Sequence, residues 1–229
     1  GANLDSIASA GGTSGVLHGK NAGFRRAASD TAELLADPTI NTVVIATRHD
    51  SHADLAGSAL KAGKNVFVEK PLCLTREELA DVRAAHDAAN TTLMVGFNRR
   101  FDTNFNHVRQ IVAGDKIGEP HILRITSRDP APPPVEYLKV SGGIFLDMSI
   151  HDFDMARYIV GSEVKEVFVK GDALIHPEIR EFGDIDTAVI ILTFENGAIG
   201  VIDNSRKAVY GYDQRLEIFG SKGMAKAEN

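Results

Sequence analysis

Four short apolar runs, at residues 4–8, 42–46, 66–68 and 92–96, punctuate the first hundred positions, and helical patterns fill most of the space between them. Val43, Val44 and Ile45, like Val66, Phe67 and Val68, are the β-branched and aromatic types that fill strands covered on both faces. After the first run, Gly11-Gly12-Thr13-Ser14-Gly15 reads as a turn. A short helix is expected over residues 31–36, ended by Asp37-Pro38. A longer one starts near Ser51, with Asp54 as its capping-box partner, and stops at Gly63. Thr75 and Glu78 repeat the capping box, and Leu79, Val82 and residues 85–89 supply the apolar stripe of a third. Strands alternating with helices of this length are βαβ units, which assemble into a parallel sheet.

After Gly96 the pattern changes. A helix is expected over residues 101–113, with Phe105, Val108, Ile111 and Val112 on its apolar side, then a strand over 121–128. Pro130 and Pro132, Pro133 and Pro134 mark an extended loop. Residues 147–160 have helical spacing and stop at Gly161; strands are expected over 164–170, 186–194, 198–204 and 215–219. Glu195-Asn196-Gly197 between two of these is a hairpin turn. The pattern therefore divides the chain into residues 1–97, α/β with a parallel sheet, and residues 98–229, α+β with a mostly antiparallel, open-faced sheet.

Composition narrows the partners. Lysine and arginine number 25 against 31 aspartates and glutamates, a net charge of −6 with no basic run, which argues against nucleic acid. No apolar run approaches the roughly 18 residues of a membrane span. Cys73 is the only cysteine, so no intrachain disulfide forms, and a reducing cytoplasm fits. Gly1-Ala2-Asn3-Leu4 reads as mid-domain sequence and not as a signal peptide.

Four places carry chemistry. Glu69-Lys70-Pro71 ends the third strand, at the carboxyl edge where open α/β sheets place their ligands. Pro71 stiffens the turn that presents Lys70, which is either a proton-transfer group or half of an exposed ion pair. Thr47-Arg48-His49-Asp50-Ser51-His52 follows the second strand and leads into a helix; it is a nucleotide-binding turn or a plain helix entry capped by Asp50 or Ser51. His49 and His52 lack the wider ligand set of a zinc site. Asp147 and His151 fall one helical turn apart, which suits a carboxylate orienting an imidazole general base, or equally an N-cap beside a half-buried histidine. Gly142-Gly143 upstream allow close backbone approach, and the pattern turns Asp152 and Asp154 toward solvent. Asn98-Arg99-Arg100-Phe101 follows the last parallel strand, where the arginines hold cofactor or substrate oxygens or form ordinary ion pairs.

Glu69-Lys70-Pro71, one βα unit after Thr47–His52 and one before Asn98-Arg99-Arg100-Phe101, resembles the glucose–fructose oxidoreductase / inositol dehydrogenase / rhizopine-catabolism (Gfo/Idh/MocA) family over nearly the whole chain. Residues 126–229, with Ser127-Arg128-Asp129-Pro130, Ser141-Gly142-Gly143 and Asp203-Asn204-Ser205-Arg206, look like its myo-inositol 2-dehydrogenase branch. Residues 1–65 look more like a bimodular branch carrying a zinc alcohol dehydrogenase-like module, so a composite sequence is one expectation. The resemblance implies a Rossmann-like, dinucleotide-binding first domain, truncated here, and a second domain that binds substrate and oligomerises. It implies NAD or NADP as cofactor, a polyol or sugar substrate, hydride transfer between carbinol carbon and nicotinamide, no metal, and a homodimer or homotetramer, to which the apolar strand over residues 189–194 would contribute.

By the same resemblance Lys70 binds the reacting oxygen, His151 is the base and Asp147 orients it. Ser9, Thr47, His49, His52, Glu69, Lys70, Pro71, Asn98 and Arg99 fall on the cofactor side, and Asp186 and Tyr210 on the substrate side. The family's opening strand with Gly-x-Gly-x-x-Gly has no counterpart here, since Gly11-Gly12-Thr13-Ser14-Gly15 departs from that spacing. Ser9, Ala10 and Gly11 stand where a ribose-binding acid is expected, which leaves NAD against NADP open. The family also continues past Asn229, so the chain reads as a fragment or an engineered chain. Two competing expectations remain: a domain that folds and oligomerises without binding dinucleotide, and, more weakly, a different α/β ligand binder over residues 1–97.

Overall fold

The computed structural model describes residues 2–9 and 13–228 and separates into two units, Gly1–Gly96 and Phe97–Asn229. In the first unit, β1 (Ser6–Ala8) is followed by α1 (Thr13–Ala22) and by β2 (Arg26–Ala28), which pairs with β1 in parallel. The expected turn at Gly11-Gly12 lies outside the described residues, but Thr13-Ser14-Gly15 is helical and not a turn. Arg26-Ala27-Ala28 carries no β-branched residue, so β2 left no strand pattern to read. Then come α2 (Thr31–Ala36), capped by the Asp30 carboxylate on Ala32 N, and β3 (Thr42–Ile45).

A 3₁₀ turn, His49–Ser51, leads into α3 (His52–Lys61), then β4 (Asn65–Val68), α4 (Arg76–Ala88) and β5 (Leu93–Val95). β3, β4 and β5 form a parallel sheet in flush register, Ile45 beside Val68 and Val68 beside Val95. The alanines Ala53, Ala56 and Ala59 of α3 let it lie close against Ile45, Val66 and Val68, with Leu60, Val82 and Ala85 closing the core. Of the two capping boxes, Thr75–Glu78 forms in full. The Ser51–Asp54 box does not: Ser51 keeps a helical backbone inside the 3₁₀ turn, and its hydroxyl donates to Arg48 O.

The second unit opens with a 3₁₀ turn, Asn98–Phe101, then α5 (Thr103–Ala113), started by the Asp102 carboxylate on Asn104 N and Phe105 N. β6 (Pro120–Arg128) and the short α6 (Val135–Leu138) follow. The helix expected over 147–160 is two pieces: a π-helical turn, Phe145–Ser149, and α7 (Ile150–Val160), ended by Gly161. β7 (Val164–Asp172), β8 (Thr187–Phe194), β9 (Ile199–Ser205), β10 (Asp213–Gly220) and β11 (Gly223–Glu228) complete the unit, with the expected turn at Asn196-Gly197 joining β8 to β9. β11 had not been anticipated; its Gly-Met-Ala-Lys-Ala-Glu is poor in β-formers and is held by pairing with β10.

The strands order as β11-β10-β6-β9-β8-β7, antiparallel except for β6 beside β9. One face, with Leu123, Ile125, Ile190, Leu192, Ile202, Leu216 and Ile218, packs under Phe105 and Val108 of α5 and Met155, Ala156 and Ile159 of α7. The other face carries exposed apolar residues on all six strands: Phe168 pairs with Ile191, and Ile199, Ile122, Phe219 and Met224 form a cross-strand row offset by two residues from that pair. Leu192→Ala in the buried face is expected to lower unfolding free energy by about 3 kcal/mol, and Phe168→Ala in the open face by less than about 1 kcal/mol, in urea melts of the purified chain.

Candidate active site

The parallel strands β3, β4 and β5 end in flush register at one edge, and the first unit's candidates other than Ser9 follow those ends. Glu69 N donates to Ile45 O and Gly96 N to Val68 O, which ties the three strand ends together. The Glu69 carboxylate lies against Gly96, where a Cβ would stand 3.2 Å from Oε2 and 3.0 Å from Phe67 Cζ, so a side chain there would push both neighbours aside by a few tenths of an ångström. Lys70, half-buried, follows, and its peptide bond to Pro71 is cis. Thr47 is exposed and its hydroxyl shares a 2.6 Å hydrogen bond with that of Ser51. His49 is half-buried, its ring 5.7 Å from that of His52. Ser9, at the end of β1, is half-buried and its N–H donates to Ala28 O; Ala10 and Gly11 lie outside the described residues.

His52 is placed differently from a ligand-facing group. It is fully buried, with Nδ1 2.7 Å from Pro71 O and Nε2 3.1 Å from Thr47 O. The imidazole is a strut between the turn after β3 and the turn that carries Lys70, with neither nitrogen presented to solvent. The spacing of His52 with Ala56, Ala59 and Leu60 is that of an inward helical stripe, and it held the signal for this burial.

In the second unit Asn98 is exposed at the head of its 3₁₀ turn, while both arginines are engaged within the unit. Arg99 Nη1 donates to Asp152 Oδ1 and Nη2 to Ser127 Oγ at 3.2 Å; Arg100 forms a two-pronged pair with Asp154 at 2.8 and 2.6 Å. The expectation that Asp152 and Asp154 face solvent is therefore corrected: they are 0% and 6% exposed. Burial pushes the Asp152 carboxyl up, against the Arg99 charge and the Asn204 amide, which donates to Oδ2 at 2.8 Å. Ser149 Oγ donates to Asn204 Oδ1 and Ser127 Oγ to Gln214 Oε1, so a buried polar row from β9, β6 and β10 runs beneath α7.

Asp147 sits in the π-helical turn, where Tyr137 donates to its Oδ1 at 2.8 Å and Arg206 Nη1 to its Oδ2 at 2.9 Å. Burial, then the Asp147 carboxylate, holds the Tyr137 phenol well above its ordinary range. The chain enters this turn through Gly142 and Gly143, both at positive φ, and Gly143 lies against Asp184, where a Cβ would stand 3.0 Å from Oδ1. His151, half-buried, follows in the first turn of α7.

The two weaker substrate-side candidates are engaged within the fold. Asp186 is fully buried and accepts from the N–H groups of Leu174, Ile175 and His176 and from the Thr187 hydroxyl. Burial raises its carboxyl, but these donors outweigh it and hold it below the usual range, so Asp186 organises the loop before β8. Tyr210 is exposed; its hydroxyl donates to Asp213 Oδ2 at 2.6 Å and accepts from Arg128 Nη1 at 2.9 Å.

Asp152→Ala leaves the Arg99 guanidinium without its carboxylate and is expected to destabilise the chain by about 3–5 kcal/mol. The double variant Arg99→Met/Asp152→Leu is expected to lose less than the single variant, and a double-mutant cycle by chemical denaturation measures the coupling.

Residues 7–97 match a family model described as an oxidoreductase family, NAD-binding Rossmann fold, and residues 105–226 match the GFO/IDH/MocA C-terminal domain. Myo-inositol 2-dehydrogenase of Thermotoga maritima is 54% identical over 207 residues, covering 90% of this chain and 62% of that protein. The chain thus spans about six-tenths of the length of this relative. The crystal structure of a myo-inositol dehydrogenase from Corynebacterium glutamicum superposes with a TM-score of 0.92 at 39% identity, covering 98% of this chain and 67% of that one. That of scyllo-inositol dehydrogenase from Lactobacillus casei, with bound NAD(H) and scyllo-inositol, gives 0.87 at 32% identity, covering 99% and 68%.

Proposed function

Because the chain belongs to the GFO/IDH/MocA oxidoreductase family, we propose that it serves NAD-dependent oxidation of an inositol-like polyol at one secondary hydroxyl. The observation that carries the reading is a 54% identical inositol 2-dehydrogenase matched over 90% of this chain; the roles of Lys70, Asp147 and His151 follow from the resemblance. NAD is preferred to NADP, since the Lactobacillus casei relative is bound to NAD(H).

The residues at the carboxyl edge of β3 and β4 fit a dinucleotide in chemistry. The exposed Thr47 hydroxyl and the His49 imidazole stand at the entry to α3, whose N-terminus favours anionic oxygens. Bound there, NAD supplies a hydride acceptor at C4 of its nicotinamide, so that the carbinol C–H bond breaks with its electron pair. His151 takes the hydroxyl proton, and Asp147 orients the imidazole and favours its protonated form. Lys70 donates a hydrogen bond to the oxygen that becomes the carbonyl. Atoms balance: one hydride leaves on the cofactor, one proton on the base, and a ketone remains.

In this reading residues 1–97 are the dinucleotide-binding domain and residues 98–229 the substrate-binding and oligomerising domain. The open apolar row of the six-stranded sheet buries itself in a homodimer or homotetramer, and the setting is cytoplasmic, where the single thiol of Cys73 persists. The NAD-binding family match over residues 7–97 speaks against the competing reading of a domain that binds no dinucleotide.

Calorimetric titration with NADH is expected to show micromolar binding, followed by reduction of NAD in the presence of myo-inositol. Lys70→Ala and His151→Ala are each expected to lower kcat by on the order of 100-fold or more. Wild-type turnover in either variant would remove that residue from its role.

A further inference from the structure

We infer that Arg206, paired with Asp184, is the positioning residue that holds the Asp147 carboxylate in its working orientation. This rests on the reading of Asp147 as the group that orients the base.

Arg206 directly follows β9, its N–H donates to Asp186 O, and its side chain is 1% exposed. A guanidinium offers five N–H donors. Here Nη1 donates to Asp147 Oδ2 at 2.9 Å, whereas Nε and Nη2 have no hydrogen-bond partner among the described residues. The other nearby anion is Asp184, whose Oδ2 lies 3.9 Å from Nη2 and is likewise without a hydrogen-bond partner. Among the described residues, the one side-chain hydrogen bond that this buried cation makes is therefore to Asp147.

Asp184 acts on the same segment through the backbone. Its Oδ1 accepts from Ile144 N at 2.9 Å, which fixes the entry to the π-helical turn, while Gly143 keeps clear the place a Cβ would fill against that oxygen. Backbone and side chain of the turn are thus held from one buried pair: Asp184 fixes where the segment starts, and Arg206 fixes where the Asp147 carboxylate points. Tyr137 on α6 holds the other oxygen of Asp147. π-Helical turns concentrate at functional sites, and a carboxylate in one lacks the regular i, i+4 support of an α-helix, so an outside anchor is needed.

The charge count gives the test its sign. Arg206 and Tyr137 bond Asp147 within the second unit, with Asp184 beside Arg206 and Asp129 acting on Tyr137, and His151 follows four residues on in sequence. Replacing Arg206 by an apolar residue leaves the buried Asp184 and the half-buried Asp147 without the cation they share, which favours proton uptake by one of them. Arg206→Met is expected to lower kcat for polyol oxidation on the order of 100-fold, with KM for NAD unchanged, and to move the acid limb of the pH–rate profile to higher pH. Arg206→Lys keeps the cation and is expected to return that limb most of the way. Asp184→Asn keeps the acceptor for Ile144 N and removes an anion, and is expected to move the limb the opposite way.

An Arg206→Met enzyme with wild-type kcat and pH profile, or an Arg206→Lys enzyme shifted as far as the Met variant, would overturn the inference. Should Arg206→Met fail to fold, the opposite sign expected of Asp184→Asn decides. Crystal structures of the wild-type and Arg206→Lys chains separate this from the proposed activity. An Asp147 carboxylate that keeps its Tyr137 bond but lacks contact with either cation sinks the inference even in an active dehydrogenase. Retained contact supports it even where myo-inositol is not turned over.

Discussion

Two aspartates buried on one helix must be met by cations, and that requirement orders the second unit. Asp152 shares the stripe of Met155, Ala156 and Ile159, the face of α7 that lies on the sheet, and Arg99 meets it there beside Ser127 and Asn204. Asp154 occupies another face, and Arg100 lies across it and across the Tyr158 ring, 5.0 Å from its centroid. Two ion pairs on two faces fix the roll of α7 as well as its position, because rotation that improved one would break the other. His151 precedes Asp152 by one residue, so its direction follows from the same pairs. The apolar contacts alone would place the helix without specifying its rotation so narrowly.

The segment before α7 shows the same logic on a smaller scale. Regular α-helix from residue 145 would stack Asp147 over His151 by spacing alone. The π-helical turn Phe145–Ser149 changes that spacing, and fixed partners take over: Tyr137 and Arg206 on the carboxylate, Asp184 on the backbone of Ile144, Asn204 on Ser149. In the first unit His52 plays the comparable part, joining Thr47 O to Pro71 O so that two turns at the strand ends are held by one buried ring. Lys70, Asp147 and His151 are half-buried, whereas His52, Arg206, Ser149 and Asn204, which fix the segments around them, are almost fully buried.

What could be read in advance followed from local rules. β3 and β4 announced themselves by β-branched runs, α4 by Thr75 and Glu78, and the β8–β9 turn by Asn196-Gly197, because each depends on neighbours in sequence. β2 and β11 depend on strands that pair with them and carry weak propensity, so nothing local marked them. The π-helical turn has no sequence signature. The charge of Asp152 points to solvent, but its spacing does not: the stripe 152, 155, 156, 159 includes it, and Arg99 is the cation that makes its burial tolerable, as Arg100 does for Asp154. The candidates taken from the family motif, Lys70, Asp147 and His151, were legible as residue types in a pattern, while Arg206 and Tyr137, more distant in sequence, were not.

The six-stranded sheet departs from the usual distribution of polarity at one place on each face. Its covered face carries a polar row, Gln214, Ser127 and Asn204, at the end where Arg99, Asp152 and Ser149 come down onto it; its uncovered face carries Phe168, Ile191, Ile199, Ile122, Phe219 and Met224. Most buried polar groups find a hydrogen-bond partner, and they rigidify the place where they are satisfied. The inner row fixes the ground beneath α7 and hence the direction of His151. Where a sheet face has no such buried polar row it shows the ordinary pattern, apolar inside.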